Sequence, residues 1–231
     1  MNDMSTETDH AVLDAQHEQW QSTFVSRPEM FGVEPSYPAR QTAARCEHEG
    51  RRTILELGCG QGRDALFFAG CGFQVTALDY SERGLQDLRA KAEQAGLSLR
   101  LNTVSHDIRT PLPFDEGSFD VCFSHMVYCM ALTTAELKTL SDDIHRVLKP
   151  GGLNIYTARN TADSDYRSGI HRGEEMYELE GGFIVHFFTR KKVEWLAENF
   201  ELVGVEQFEE GGLPKRLFLV TLRKPMNRER K

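Results

Sequence analysis

The stretch ILELGCGQGRD, residues 54–64, starts as a strand and ends as the opening of a helix, with three glycines between. Ile54 and Leu55 are apolar and β-prone, Glu56 brings a carboxylate to the strand's end, and Gly58, Gly60 and Gly62 alternate through the bend. Glycine lets backbone run close beside a ligand, and the helix that follows presents N–H groups with no intrahelical partner. The stretch therefore predicts a ligand-holding turn at the carboxyl end of a strand. A dinucleotide turn has the form G-x-G-x-x-G, whose third glycine admits close helix packing. Here the pattern is G-x-G-x-G, with Arg63 where that third glycine would stand. A cation at a helix start opposes the dipole, which predicts a carboxylate partner for Arg63, from a ligand or from a neighbour such as Glu56.

From Thr53 onward, strand-like and helix-like runs alternate, which predicts a parallel α/β sheet. Strands are expected over 53–57, 73–79, 97–104, 118–125 and 153–159, and helices over 63–71, 81–96, 133–152 and 189–200. The third of these helices has Thr133 or Thr134 as N-cap, Glu136 placed for a capping box and a Pro-Gly-Gly stop. Two β-like runs, 201–209 and 217–223, close the chain. Two segments lie outside the rhythm. Residues 1–50 form an extension with helices expected around 11–24 and 37–49, and residues 160–188 form an insertion after the fifth strand. Ligands of doubly wound sheets bind beyond the carboxyl ends of the strands. The organisation expected is thus a helical cap over 1–50 and a ligand-binding domain over 51–225 that carries a lid at 160–188.

A chain of 231 residues can bury one good α/β core. Its formal charge of −8 speaks against a broad phosphate-binding surface, so no nucleic acid partner is expected. No apolar run approaches the roughly 20 residues of a membrane span, and no membrane partner is expected. The polar, acidic first residues read as neither a signal nor a transit peptide, which predicts a cytoplasmic location. The five cysteines contain no C-x-x-C pair and read as reduced thiols, with Cys71 and Cys122 in apolar surroundings. No metal-ligand spacing occurs.

The runs E-L-G-C-G-Q-G, V-T-A-L-D-Y-S, H-D-I, F-D-V-C-F-S-H and L-K-P-G-G-L follow one another across about residues 50–225. In that order they resemble the class I S-adenosylmethionine-dependent methyltransferases. The resemblance implies a Rossmann-like, doubly wound, three-layer α/β/α fold. Its seven strands would run 3-2-1-4-5-7-6, with the last strand antiparallel. It implies S-adenosylmethionine as cofactor. Gly58, Cys59, Gly60 and Gly62 would run beside the amino-acid moiety, and Glu56 would meet its ammonium. Asp79 would accept the ribose hydroxyls, with Tyr80 and Ser81 flanking the adenine. Asp107 would accept from the exocyclic amine, the Ile108 N–H would serve a ring nitrogen, and Ser124 would lie below the sulfonium. The stretch WQSTFVSRPEMFGVEPS also resembles the cap of small-molecule members of the tellurite and thiopurine type, without transferring a substrate.

Methyl transfer is an in-line displacement that gains most from proximity and alignment. A base is needed only if the nucleophile must lose a proton. His125, directly after the fourth strand, is the first choice for that role, with Tyr128 and His171 as further catalytic candidates. Tyr166, Tyr177 and His186 border the same region, Arg172 is placed to face an anionic acceptor, and Phe183, Phe187 and Phe188 are expected to pack the lid. No N-P-P-Y or D-P-P-Y follows the fourth strand, which argues against methylation of amide or base amino nitrogen. The cysteine arrangement of an arsenite methyltransferase is also missing. An NAD(P)-dependent reductase would need a Tyr-x-x-x-Lys pair that does not occur in 126–160. The expected function is methyl transfer to a small-molecule acceptor in a lidded site. A non-catalytic S-adenosylmethionine-binding module and a methyltransferase of proteins or peptides are the alternatives.

Overall fold

β1 (Thr53–Leu57) is apolar on both faces: Ile54 belongs to one hydrophobic cluster, Leu55 and Leu57 to another. A strand buried on both sides needs helices on both sides. The computed structural model, which describes residues 10–211 and 215–226, supplies them. Before the sheet come α1 (His10–Asp14), α2 (Gln16–Ser26) and α3 (Tyr37–His48). After β1 follow α4 (Arg63–Gly70), β2 (Gln74–Asp79), α5 (Glu82–Gln94), β3 (Leu101–Ser105), β4 (Phe119–Ser124), α6 (Thr134–Val147) and β5 (Leu148–Arg159). An inserted group of β6 (Ile170–His171), β7 (Met176–Glu178) and β8 (Ile184–His186) precedes α7 (Arg190–Leu196), β9 (Glu201–Glu210) and β10 (Lys215–Arg223).

The main sheet has the order β3-β2-β1-β4-β5-β10-β9, with β10 antiparallel to both of its neighbours. This is the seven-stranded order expected, with β10 and β9 in the places of strands 7 and 6. Helices α3, α4 and α5 cover the cluster that contains Ile54, Phe68 and Leu88. α6 and α7 cover the cluster that contains Leu55, Leu137 and Val193. Every parallel strand of the sheet therefore ends on the same edge, where the glycine turn lies. Among the described residues no helix is long and apolar enough to cross a membrane.

Several boundaries differ from expectation, each for a local reason. The third strand begins at Leu101, not 97, because Gly96 at φ +69° ends α5 and residues 97–100 close a turn that leaves Leu99 exposed. The helix expected to run to 152 stops at Val147. Leu148 turns extended at ψ 141° and pairs with Phe119 across a bulge, so the Pro-Gly-Gly lies inside β5. Thr133 does cap α6, in a complete capping box with Glu136. The helix expected over 189–200 ends at Leu196. The helix expected over 11–24 is two helices meeting at Ala15, and residues 1–9 lie outside the described residues. The insertion holds a small antiparallel sheet, β6-β7-β8, where no strand was expected. Cys71 is exposed rather than packed in apolar surroundings, whereas Cys122 is buried as expected.

α2 and the insertion are tied to each other. Gln16 donates through Nε2 to the Gly182 carbonyl (3.0 Å) and accepts the Ile184 N–H on Oε1 (3.1 Å). Gln19 donates to the Gly181 carbonyl (2.6 Å), and the Trp20 ring lies 4.6 Å from that of Phe183. Replacing Gln16 with Ala leaves a buried N–H without its acceptor, a loss of about 1–3 kcal/mol when no water replaces it. Gln16→Ala is therefore expected to speed amide hydrogen exchange at Ile184 at least tenfold. Exchange in β1 and β4 should stay near that of the unaltered protein.

Candidate functional site

The carboxyl edge of the sheet opens into a cavity of about 1530 Å³. Its floor is the turn between β1 and α4. Gly58 and Cys59 donate their N–H groups to the Leu78 carbonyl (2.8 and 3.1 Å). Gly60 donates to Asp79 Oδ2 and Ser81 to Asp79 Oδ1, both at 2.8 Å, so one carboxylate binds the turn to the start of α5. Gly58 sits at φ +65°, and a Cβ there would lie 2.2 Å from a Val127 methyl. Only glycine fits.

The cavity is lined by Glu56, Gly58, Cys59 and Gly60, then by Asp79 and Tyr80, and by Asp107 and Ile108 beyond them. His125 lines it where β4 ends. Five of the expected site residues do not reach it with a free group, four of them on or beside the main sheet. Gly62, at φ +85°, is the N-cap of α4, and a Cβ on it would meet Leu88 at 2.2 Å; it serves the packing of α4 on α5. Ser81 is buried, accepts the Gly84 N–H as cap of α5 and donates to Gln21 Oε1 (2.6 Å), so it does not flank the cavity. Ser124 is buried within β4, and its Oγ has no partner among the described residues. Tyr128 is fully buried: its ring stacks on Tyr156 at 3.9 Å and its hydroxyl accepts from Asn154 (3.0 Å). Burial also pushes its phenol far above the ordinary range, so it is no proton carrier for this cavity.

The insertion's candidates also fall away from the cavity. His171 is exposed on β6, with Nε2 on the Glu174 carbonyl (2.8 Å). His186 is buried beside Leu132, and desolvation together with Lys192 pushes it down to about 3. Tyr166 donates to Glu175 (2.7 Å), and Arg172 pairs with Glu178 (2.7 Å). Phe183 lines the cavity, while Phe187 and Phe188 are core. Arg63 has the carboxylate partner its position called for, but that partner is Asp64 (3.1 Å) and not Glu56.

Two charges at the floor stand out. Glu56 is 4% exposed, and its Oε2 has no partner among the described residues. Burial, then Asp64, push its carboxyl well above the usual range. A buried carboxyl short of a partner fits a cationic ligand group. Asp79 is also pushed up by burial, against the opposing pull of its backbone donors. Cys59 is held as a neutral thiol by burial and by Asp79 and Glu56. At the far end, Arg109 grips Asp107 in a forked pair (3.0 and 2.7 Å) and also bonds to Asp14 in α1, and this pairing holds Asp107 below the usual range despite its partial burial. His17 stacks on Tyr80 at 4.6 Å.

Sequence reasoning missed Arg109, Arg159, Glu210 and Lys215. Arg109 lies two residues after Asp107, a spacing that could have been noticed. Glu210 and Lys215 arrive from the last hairpin, with no local signal. Glu210 faces His125 Nε2 at 3.1–3.2 Å, while His125 Nδ1 meets Thr157 Oγ1 at 3.0 Å. Arg159 is buried between Asp163 (3.0 Å) and Asp165 (2.6 Å) and lies over the Phe187 ring. Among the described residues no cluster of three or more His, Cys, Asp or Glu is arranged to hold a metal.

A seven-stranded sheet with an antiparallel β10, a glycine turn after β1 and an acidic residue ending β2 make up a Rossmann-like fold of the methyltransferase type. Residues 54–152 match the family described as "Methyltransferase domain". Methyltransferase phqN of Penicillium fellutanum is 28% identical over 187 residues, covering 75% of this chain and 56% of that protein. The tRNA N(3)-methylcytidine methyltransferase Mettl2 of Drosophila melanogaster is 27% identical over 189 residues, covering 77% and 53%. The solved structure of Burkholderia thailandensis 1,6-didemethyltoxoflavin-N1-methyltransferase, with bound 1,6-didemethyltoxoflavin and S-adenosylhomocysteine, aligns with a TM-score of 0.73. It is 21% identical, and the alignment covers 97% of this chain and 93% of that one. Residues 54–152 therefore carry a methyltransferase domain match, and the chain as a whole has the Rossmann-like fold of that S-adenosylhomocysteine-bound structure. The chain spans about half the length of the curated relatives it matches.

Two outcomes follow from this geometry. Gly62→Ala should lower the thermal midpoint, since both its backbone angle and the Leu88 contact are violated; a loss of about 2 kcal/mol or more is expected from the strain and overpacking. Glu56 sets a pH dependence. Its folded-state carboxyl is pushed up, so the stability it supports is present below the ordinary carboxylate range and is lost as pH rises through the raised value. Ligand-free protein should therefore weaken over that window in denaturant titrations. Glu56→Gln should remove this part of the decline.

Proposed function

We propose that the chain is a methyltransferase that uses S-adenosylmethionine to methylate a small molecule inside a covered chamber. The observation that carries this is the buried, partnerless Glu56 oxygen at the head of the glycine turn. The cofactor's ammonium is the group that turn lacks. Gly58 and Gly60 would let backbone pass beside the amino-acid portion, Asp79 retains lone pairs for ribose hydroxyls, and Asp107 with the Ile108 N–H would face the adenine. The cofactor, when bound, supplies an electrophilic methyl group. The chain's own contribution is alignment and exclusion of water. His125, Met126 and Val127 follow β4 and form the wall beside which the methyl would project.

α1, α2 and the 160–188 insertion act in this reading as a cover. The glutamine ties between them close the chamber over a bound acceptor, and Arg109 links the cover to the adenine end through Asp14. A chamber roofed in this way suits a small acceptor better than a folded RNA. The charge of −8 points the same way.

Calorimetric titration with S-adenosylhomocysteine, run beside NADH, tests the reading. Micromolar binding of the homocysteine compound alone is expected. Glu56→Gln should weaken it at least tenfold, about 1.4 kcal/mol. Absence of binding, or a preference for NADH, overturns the reading.

A further inference from the structure

Resting on that function, we propose that the acceptor is an apolar ring compound carrying a group anionic at neutral pH, and that Lys215 is the residue that selects it. The first argument is an inventory of bases. His125 reaches the chamber, but both ring nitrogens are engaged, one by Glu210 and the other by Thr157. The Glu210 carboxylate can only accept, so Nε2–H is directed to it, and in the neutral imidazole Nδ1 then accepts the Thr157 hydroxyl, whose oxygen also takes the Met126 N–H at 2.8 Å. His125 thus has no lone pair facing an acceptor. Asp165 is paired with Arg159, and Glu178 with Arg172. Of the other lining carboxylates, Glu56 and Asp79 belong to the glycine turn, Asp64 is paired with Arg63, Asp14 and Asp107 are paired with Arg109, and Glu29 and Glu180 are solvent-exposed on the cover. An acceptor that had to be deprotonated would find no free base at this wall among the described residues. An acceptor that arrives as an anion needs none: its lone pair forms the new bond to the methyl carbon, and the pair of the breaking C–S bond stays on sulfur.

The second argument is charge. Besides Lys91 and Arg109, the lining Lys and Arg residues are Arg63, Arg159 and Lys215, and Arg63 and Lys215 both act electrostatically on Glu210, the partner of His125. Arg63 is held by Asp64 and Arg159 by Asp163 and Asp165. Lys215 alone of the three has a side-chain ammonium with no hydrogen bond and no ion pair to a described residue within 4 Å, its effect on Glu210 and Cys129 being through space. It stands opposite Glu210 in the β9–β10 ladder, which places both side chains on one face of the sheet. Glu210 is committed to His125, so the Lys215 ammonium is left for a ligand.

The third argument is the opposite wall. Trp20 is surrounded by the rings of Phe24 (5.5 Å), Phe31 (6.3 Å) and Phe183 (4.6 Å), and Met126 and Met130 complete the apolar lining. Aromatic rings with adaptable methionines favour a flat apolar body.

The test is calorimetry on protein saturated with S-adenosylhomocysteine, using 2-naphthoate and its neutral isostere 2-naphthamide as probes. The anion should bind at least tenfold more tightly than the amide. Lys215→Met should abolish that difference and leave affinity for the amide and for S-adenosylhomocysteine unchanged. Lys215→Arg should keep most of it. Equal or absent binding of the two ring compounds, or a preference that survives Lys215→Met, overturns the proposal. Failure of S-adenosylhomocysteine to bind instead overturns the function beneath it.

Discussion

The carboxylate of Asp79 is the point on which the site depends. One oxygen holds the N–H of Gly60 and the other that of Ser81, so the glycine turn and the start of α5 are fixed to a single group. Because β1 and β2 pair in parallel register from Thr53 to Leu57, both strands deliver their loops to the same edge, and this contact locks the two loops together. Glu56 is then left at the head of the turn, buried and short of a partner, in surroundings already made acidic by Asp79 and Asp64. That concentration of buried acid is costly in a ligand-free protein, and it is what makes the floor receptive to a cation.

The cover is built on a different principle. α2 meets the insertion through amide hydrogen bonds from Gln16 and Gln19 and through Trp20 on Phe183, beside a small apolar cluster of Leu13 in α1 with Met176 and Ile184. Hydrogen bonds between neutral amides contribute modestly in net terms, since water can replace them. Such a joint suits an element that must open for exchange of ligands, whereas the fully buried Leu, Tyr and Phe cluster against the sheet would lose far more contact on opening.

Much of the sheet was legible because its signals are local. A glycine triplet after TILEL, the acidic end of VTALD and the capping box at Thr133 each specify backbone through adjacent residues. Errors arose where a distant strand overrode a local signal. Lys149, Pro150 and the glycines after them read as a helix stop, yet pairing of Leu148 with Phe119 draws them into β5. In the insertion, Tyr, His and Gly suggested a loop over the cavity. Antiparallel pairing instead turned His171 outward and buried His186.

The sequence by itself determined the alternation of strands and helices, the glycine turn and the acidic residues at the ends of β1 and β2, because strand periodicity and turn chemistry act over a few residues. The strand order, by contrast, was implied by the family resemblance. The tertiary structure alone decided the far wall of the chamber. Glu210 meets His125 from 85 residues along the chain, and Lys215 lines the same cavity from 90, by subtraction of their numbers, only because β10 runs antiparallel between β5 and β9. Tyr128 was lost from the site for the same reason: the turn after β4 drives its ring onto Tyr156 in the core, a contact that no spacing in the chain encodes.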